Sequence, residues 1–267
     1  MKKIILLILI IFTSLLSVGC NTKKISESDK IFYSAKINPI ADQQKEISES
    51  QNIADKNDIK LDALILDEIL LNVPFADQAP HKNWNEPYQE ACEEASIIMA
   101  NRFVNNDQTM DLKKDFIDQE IIKMVTWQEK NMGGHYDLGV EETLNLFQKF
   151  YNYQGGKIVS IDSIDDIKRI LSNKNIIIAP TYGRALNNPN FTAPGPVYHM
   201  LVIKGFDKIN FITNDPGVWQ GKNFTYSYQN LFDAICDLPK EAMGRSGYIK
   251  NHPNLMINGN KKVIVIQ

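Results

Sequence analysis

The chain has few of the residues that bind metals or crosslink small secreted domains, and it has no excess of positive charge. Its 267 residues include only three cysteines and four histidines. No CxxC or HxxxH spacing occurs, which argues against a zinc site, and we expect a protein without a cofactor. The formal charge is only −3, with no stretch rich in lysine and arginine. Such a weakly acidic chain argues against binding to nucleic acid.

Composition divides the chain into three regions. Residues 21–60 are rich in Lys, Ser, Asp, Gln and Glu and contain no glycine, which predicts a polar tether. Hydrophobic residues make up 43% of the whole chain and aromatic residues 9%. We therefore expect residues 61–267 to form one domain with a substantial core, and we expect a monomer.

The first twenty residues have the pattern of an export signal. Lys2 and Lys3 precede the apolar run Ile4–Leu16, which is too short to span a bilayer. The ending Ser17-Val-Gly-Cys20 resembles a bacterial lipobox, which implies cleavage before Cys20 and lipidation of its thiol. An uncleaved anchor or an ordinary signal peptide are the alternatives. We expect a lipid-anchored protein on the extracytoplasmic face of the cell membrane.

Cys92 lies where a proline-containing loop gives way to an apolar helical pattern. The free N–H groups and the dipole at a helix N-terminus favour an anion there. A thiol so placed has its pKa lowered from about 8.5 into roughly the 3.5–7.5 range, and the thiolate is the nucleophilic form. Glu93 and Glu94 follow directly, and two acids in the first turn oppose a neighbouring thiolate.

Along residues 61–267, most of the helical patterns come first and most of the strand patterns follow. The helical patterns cover 92–105, 112–128, 140–151 and 163–171. The strand patterns cover 69–75, 176–180, 198–204, 209–214, 224–228 and 262–266. This order predicts an α+β fold with an antiparallel sheet.

A hairpin is expected between the strands on either side of Gly205-Phe-Asp-Lys208. If Asp207 is its midpoint, His199 faces Asp215, with Cβ atoms about 4.5–5.5 Å apart. A carboxylate at that distance can orient an imidazole. A register shift of one residue would move Asp215 to the other face and make Asn214 the orienting group.

Four segments together resemble the C39-like cysteine peptidases. They are Val73–Gln78, the helix that begins at Cys92, Tyr198–Gly205 and Ile212–Gly217. The resemblance covers roughly 71–267. It implies a papain-like fold, in which a central helix bearing the cysteine packs on an antiparallel sheet bearing the histidine and the aspartate.

The same resemblance implies the roles of the site residues. Cys92 would be the nucleophile, His199 the general base and acid, and Asp215 the group that orients His199. Gln78 would donate to the oxyanion, with Gln89 as the alternative donor. The implied reaction is hydrolysis of amide bonds in a peptide or peptide-containing substrate.

Two other functions fit the same residues. A transglutaminase-like acyl transferase uses a similar order of Cys, His and Asp, and a binding lipoprotein could keep the fold without the reactivity. The family's bacteriocin-leader peptidases favour glycine after the cysteine, whereas Glu93 stands there in this chain. Cleavage after a double-glycine leader is therefore not expected.

Overall fold

The computed structural model describes residues 64–267. The expected signal peptide at 1–20, its lipidation site Cys20 and the tether at 21–60 lie outside the described residues. Within residues 64–267, no helix has both the length and the apolar character needed to cross a membrane.

Helices and strands alternate more than the sequence patterns predict. The helices are α1 (Cys92–Val104), α2 (Lys114–Asn131), α3 (Val140–Tyr151), α4 (Ile164–Ser172), α5 (Tyr228–Ala234) and α6 (Tyr248–Asn251). The strands are β1 (Ile69–Leu70), β2 (Lys157–Ser160), β3 (Ile176–Tyr182), β4 (Tyr198–Phe206), β5 (Asn210–Asn214), β6 (Phe224–Ser227) and β7 (Lys262–Ile266). Strand β2 has no counterpart in the prediction, and β1 is much shorter than the run predicted at 69–75.

The strands form one antiparallel sheet in the order β2-β7-β3-β4-β5-β6, and β1 pairs with the end of β4. Gly205 is required where β1 meets β4, because a Cβ there would lie 2.2 Å from the carbonyl oxygen of Ile69. Helices combined with an antiparallel sheet confirm the α+β expectation at that level.

Both faces of the sheet are covered, so the central strands β3 and β4 are buried along almost their whole length and contain long apolar runs. Ile176 and Ile178 join the core that contains α1, α2 and α3. Ile177 and Ala179 join the second core, which contains residues of α4 and α5. The two-residue period of a strand therefore divides one apolar sequence between two cores.

Helix α1 is the central helix of the larger core. Every residue from Cys92 to Ala100 is buried, including the acidic Glu93 and Glu94. The helix packs on β4 and against α2 and α3. Because Cys92 is its first residue, the sulfur lies at the end of the helix beside β4.

The hairpin register differs from the prediction. Val202 pairs with Asn214, whereas the predicted midpoint at Asp207 would place position 212 there. A β-bulge between Ile203 and Gly205 contributes to the difference. Because side chains alternate with a period of two, a shift of two residues leaves Asp215 on the same face as His199. The two residues are diagonal neighbours rather than directly opposed.

Two buried side chains fix the segment that leads towards Gln78. Asn214 Nδ2 donates to the carbonyl oxygens of Val73 (3.1 Å) and Pro74 (3.2 Å). Lys204 Nζ donates to Val73 O at 3.3 Å and to Asn223 Oδ1 at 3.0 Å. Asn214 is therefore a structural anchor and does not orient His199.

Burial of Lys204 predicts a pH-dependent contribution to stability. Burial, with a smaller effect of Lys222, lowers the pKa of Lys204 from 10.5 to about 8. Between these values the unfolded chain binds more protons than the folded protein, so the free energy of unfolding rises with pH. Between pH 8 and 9.5, we expect the free energy of unfolding of wild type to rise by about 1–2 kcal/mol relative to that of Lys204→Met.

Urea unfolding across this pH range measures the gain. Lys130→Met, at an exposed position near the end of α2, is the matched control and should show no such difference from wild type. Parallel pH curves for wild type and Lys204→Met would contradict the lowered pKa.

Candidate active site

A cleft of about 470 Å³ brings together three of the four predicted site residues. Gln78, Cys92 and His199 line it. Asp215 is fully buried behind His199. The cleft is also lined by Trp84, Glu90, Asp137, Phe191, Trp219 and Lys250. A thiol and an imidazole therefore face the same space, with a carboxylate behind the imidazole.

Asp215 is held by four hydrogen-bond donors. Its Oδ1 lies 2.7 Å from His199 Nε2 and accepts the backbone N–H of Gly217 at 3.0 Å. Its Oδ2 accepts the Tyr226 hydroxyl at 2.5 Å and Asn188 Nδ2 at 3.1 Å. Burial by itself would raise the pKa of Asp215, but the charge of His199 and these hydrogen bonds hold it below its ordinary value.

Tyr226 and Asn188 were not singled out from the sequence. Tyr226 lies on a predicted strand, where its hydroxyl gave no sign of a buried acidic partner. Asn188 lies in a loop far from Asp215 along the chain, and it also donates to the Tyr226 hydroxyl at 2.8 Å. Only the long-range packing of the sheet reveals this group.

The His199 ring is fixed on two sides. Phe191 contacts it edge to face, with ring centroids 5.4 Å apart. A Cβ at Gly217 would come within 2.7 Å of His199 Cε1, so glycine is needed for the ring to lie here. Since Nε2 is paired with Asp215, Nδ1 is the nitrogen left for proton transfer.

Cys92 is in an environment that disfavours the thiolate. Its sulfur accepts the backbone N–H of Met200 at 3.3 Å and donates to Glu93 Oε2 at 3.1 Å. Burial, followed by the charges of Glu93 and Asp137, raises the pKa of the thiol well above its ordinary value. The lowered pKa expected from the helix N-terminus is therefore wrong for this state, because burial and neighbouring acids outweigh the dipole.

Both glutamines considered from the sequence line the cleft. Gln78 is buried, and its Nε2 donates to the carbonyl oxygens of Tyr88 (3.0 Å) and Gln89 (3.4 Å). Gln89 is exposed, and its side-chain amide bonds to Glu86. Gln78 is thus the more firmly positioned of the two.

The other cysteine within residues 64–267, Cys236, does not line the cleft. Cys236 is buried, unpaired and hydrogen-bonded to the carbonyl oxygen of Met256 at 2.8 Å. Cys92 is likewise unpaired, so the two form no disulfide. No group of three or more His, Cys, Asp or Glu within 64–267 is arranged to hold a metal ion.

The sequence matches the model of the Peptidase_C39 like family over residues 70–235. The chain therefore belongs to this family. It is also similar to a solved structure from Bacillus anthracis, provisionally assigned as a C39-like peptidase, with 14% identity and a TM-score of 0.42. That match covers 75% of this chain and 98% of the other. No curated protein matches the chain.

The Tyr226 hydroxyl is expected to stabilise the fold through the ionised Asp215. Tyr226→Phe removes one of the four donors, and a hydrogen bond to a charged group contributes about 1.5–3 kcal/mol to the free energy of unfolding. The loss should be largest at neutral pH. Because the pKa of Asp215 is lowered from 3.8, the loss should shrink as the pH falls below that value and Asp215 takes up a proton.

Urea unfolding at pH 7 and at a series of acidic values measures the loss. The control is Tyr136→Phe, whose hydroxyl donates to the neutral carbonyl of Met132 at 2.9 Å. The free energy of unfolding lost in Tyr136→Phe should be smaller and should not change with pH. Equal losses for the two variants at every pH would count against an ionised Asp215.

Proposed function

We propose that this protein is a thiol peptidase with a papain-like arrangement, which hydrolyses amide bonds in peptides with Cys92, His199 and Asp215. Family membership supports the peptidase class. The observation that carries the proposal is the pairing of His199 with a buried, ionised Asp215 in the wall of the cleft that Cys92 also lines. A nucleophile in the same cleft gives this buried pair a chemical role, whereas a pair in an inert core would have none.

In this mechanism the thiol of Cys92 gives its proton to His199, and the thiolate attacks the substrate carbonyl. His199 then protonates the leaving amine and later activates the water that releases the acyl group. Asp215 holds the imidazole and stabilises its positive form. Nδ1 is the nitrogen for these transfers, because Nε2 is bound to Asp215.

Gln78 is proposed as the side-chain donor to the oxyanion. Its Nε2 carries two hydrogens, and the 3.4 Å contact with Gln89 O is weak enough to be exchanged for a substrate oxygen. The backbone N–H of Cys92 is the second donor, since the first N–H of a helix has no partner within that helix. Gln78 N–H also bonds to Pro216 O at 3.1 Å, which fixes it relative to the Asp215 segment.

A non-catalytic binding protein is the second candidate. The observation in its favour is that the thiol contacts Glu93 and that burial raises its pKa. In this alternative the cleft with its exposed Trp84 and Trp219 would bind a peptide without cleaving it. Catalysis and binding are separated by the experiments below.

We also propose a lipid anchor at Cys20 and a location on the extracytoplasmic face of the membrane. The support is the basic start, apolar run and small residues of positions 1–20. Mass spectrometry of protein purified from bacterial membranes should find the N-terminal cysteine acylated. Protein with Cys20→Ala should lose the modification and leave the membrane fraction.

Replacement of His199 tests the nucleophile. In full-length protein whose only cysteine is Cys92, through Cys20→Ser and Cys236→Ser, iodoacetamide alkylation is measured against pH. His199→Ala should raise the pH at which the thiolate forms, because the imidazole can no longer carry the proton as a cation. Peptide cleavage should be abolished in His199→Ala. With wild type, products that incorporate an added amine would indicate acyl transfer instead of hydrolysis.

The outcome for the rival function is distinct. Unchanged alkylation in His199→Ala, together with no cleavage of a peptide library by wild type, would favour the binding protein. Bound but uncut peptides recovered from the library would support it directly.

Gln78→Ala is expected to lower kcat by about 10²–10³, the usual effect of losing one oxyanion donor. Gln89→Ala is the matched control, since this side chain lines the same cleft but is exposed, and its kcat should change little. Steady-state kinetics on a cleaved library peptide provide the measurement. The larger loss in Gln89→Ala would reverse the assignment of the two glutamines.

A further inference from the structure

Glu93 is a buried carboxyl group directly beside the candidate nucleophile. Only 1% of its surface is exposed. Its Oε1 accepts the backbone N–H of Leu138 at 2.8 Å, and its Oε2 accepts the thiol of Cys92 at 3.1 Å. None of the ion pairs within residues 64–267 includes Glu93. The charged group with the largest effect on the pKa of this thiol is therefore a carboxyl group without a cationic partner.

The hydrogen bonds around the pair favour a proton on the sulfur rather than on Glu93. The Leu138 N–H stabilises the ionised form of Glu93, while the sulfur receives only the longer bond from Met200 N–H at 3.3 Å. A carboxyl group also ordinarily releases its proton about four pH units below a thiol. Since both groups are buried, this difference in proton affinity decides which of them is ionised first.

Other charged groups surround Glu93. Burial, then the charges of Asp137 and Glu94, raise the pKa of Glu93, while the Leu138 N–H and the Cys92 thiol lower it. Burial, followed by the charge of Glu93, raises the pKa of Tyr198 on β4 well above its ordinary value. The Tyr198 hydroxyl donates to the Leu138 carbonyl oxygen at 2.7 Å.

The cations nearby serve other acids. Lys250 bonds to Glu90, and burial followed by the charge of Glu90 raises the pKa of Asp137. His135 Nε2 lies 3.5 Å from Glu94 Oε1. A second negative charge at Cys92 would therefore be formed next to several acidic groups.

We propose that Glu93 holds Cys92 in the thiol form and so determines how readily the nucleophile is activated. This inference rests on the proposed function, because it concerns the regulation of the same nucleophile. At rest the S–H bond is intact and its proton is donated to the Glu93 carboxylate. Activation breaks the S–H bond and forms an N–H bond on His199, which leaves a thiolate beside an ionised Glu93. The repulsion between the two anions opposes that transfer.

Glu93→Gln tests the proposal with little change of shape. The amide oxygen can still accept the Leu138 N–H, and the amide nitrogen can donate to the sulfur, but the negative charge is gone. In full-length protein with Cys92 as its only cysteine, we expect alkylation at pH 7 to become about tenfold faster or more. The midpoint of its pH profile should move down by about one unit or more, as expected on removing a like charge in contact.

Glu94→Gln is the matched control. Glu94 is the next residue of α1 and equally buried, but it bonds to Gln128 and lies near His135 rather than Cys92. Its alkylation profile should stay close to that of wild type. An unchanged or slower Glu93→Gln, with the fold intact by circular dichroism, would overturn the proposal.

A second measurement does not depend on the folding of Glu93→Gln. Infrared spectra with isotope-labelled glutamate should show a carboxylate band at pH 8 that shifts when Cys92→Ala removes its hydrogen-bond donor. A carboxylic-acid band in its place would overturn the proposal, because Glu93 would then be neutral.

The double variant His199→Ala, Glu93→Gln separates this proposal from the proposed function. If Glu93→Gln accelerates alkylation while His199→Ala changes it in neither background, Glu93 controls the thiol but His199 does not act on it. If His199 matters and Glu93→Gln has no effect, the peptidase proposal stands and the inference about Glu93 fails.

Discussion

The burial of one charge, on Asp215, is the constraint on which the cleft depends. An ionised carboxylate in the protein interior is costly unless each oxygen is hydrogen-bonded. Asp215 meets this condition through His199 on β4, Tyr226 on β6, Asn188 in a loop and Gly217 just beyond. These contacts join three strands and a loop around a single side chain. Correct packing of that half of the sheet and correct placement of the imidazole are therefore the same event.

The other half of the cleft follows the opposite electrostatic logic. Every hydrogen-bond partner of the Asp215 carboxylate is a donor that favours an anion, whereas the side chain hydrogen-bonded to the Cys92 sulfur is the acid Glu93. His199 is bonded to the stabilised anion and lines the same cleft as the sulfur, whose pKa is raised by burial and by Glu93. A substrate that displaces water from this cleft strengthens both effects, since charges interact more strongly in a less polar medium. In the proposed mechanism, activation of the thiol therefore depends on the balance between His199 and Glu93.

Local patterns in the sequence predicted much of this arrangement. Helix α3 has the predicted bounds, and α1 begins at Cys92 as expected, because amphipathic spacing and helix boundaries are set by nearby residues. The hairpin register was wrong, since a β-bulge has no clear local signal. The prediction still brought His199 and Asp215 together, because an error of two residues preserves the face of a strand. The partners of Asp215, and the Leu138 N–H that holds Glu93 beside Cys92, lie in distant segments, which a single sequence does not reveal.

Two adjacent residues at the end of β5 connect the parts of the site. Asn214 faces one side of the sheet and holds the Val73–Pro74 segment that continues to Gln78. Asp215 faces the other side and holds His199. A slip of β5 by one residue would exchange these two side chains, and both the glutamine and the imidazole would lose their anchors together. The alternation of side chains at the end of β5 therefore sets the positions of both the proposed oxyanion donor and the proposed base. The many hydrogen bonds of Asn214 and Asp215 hold these positions.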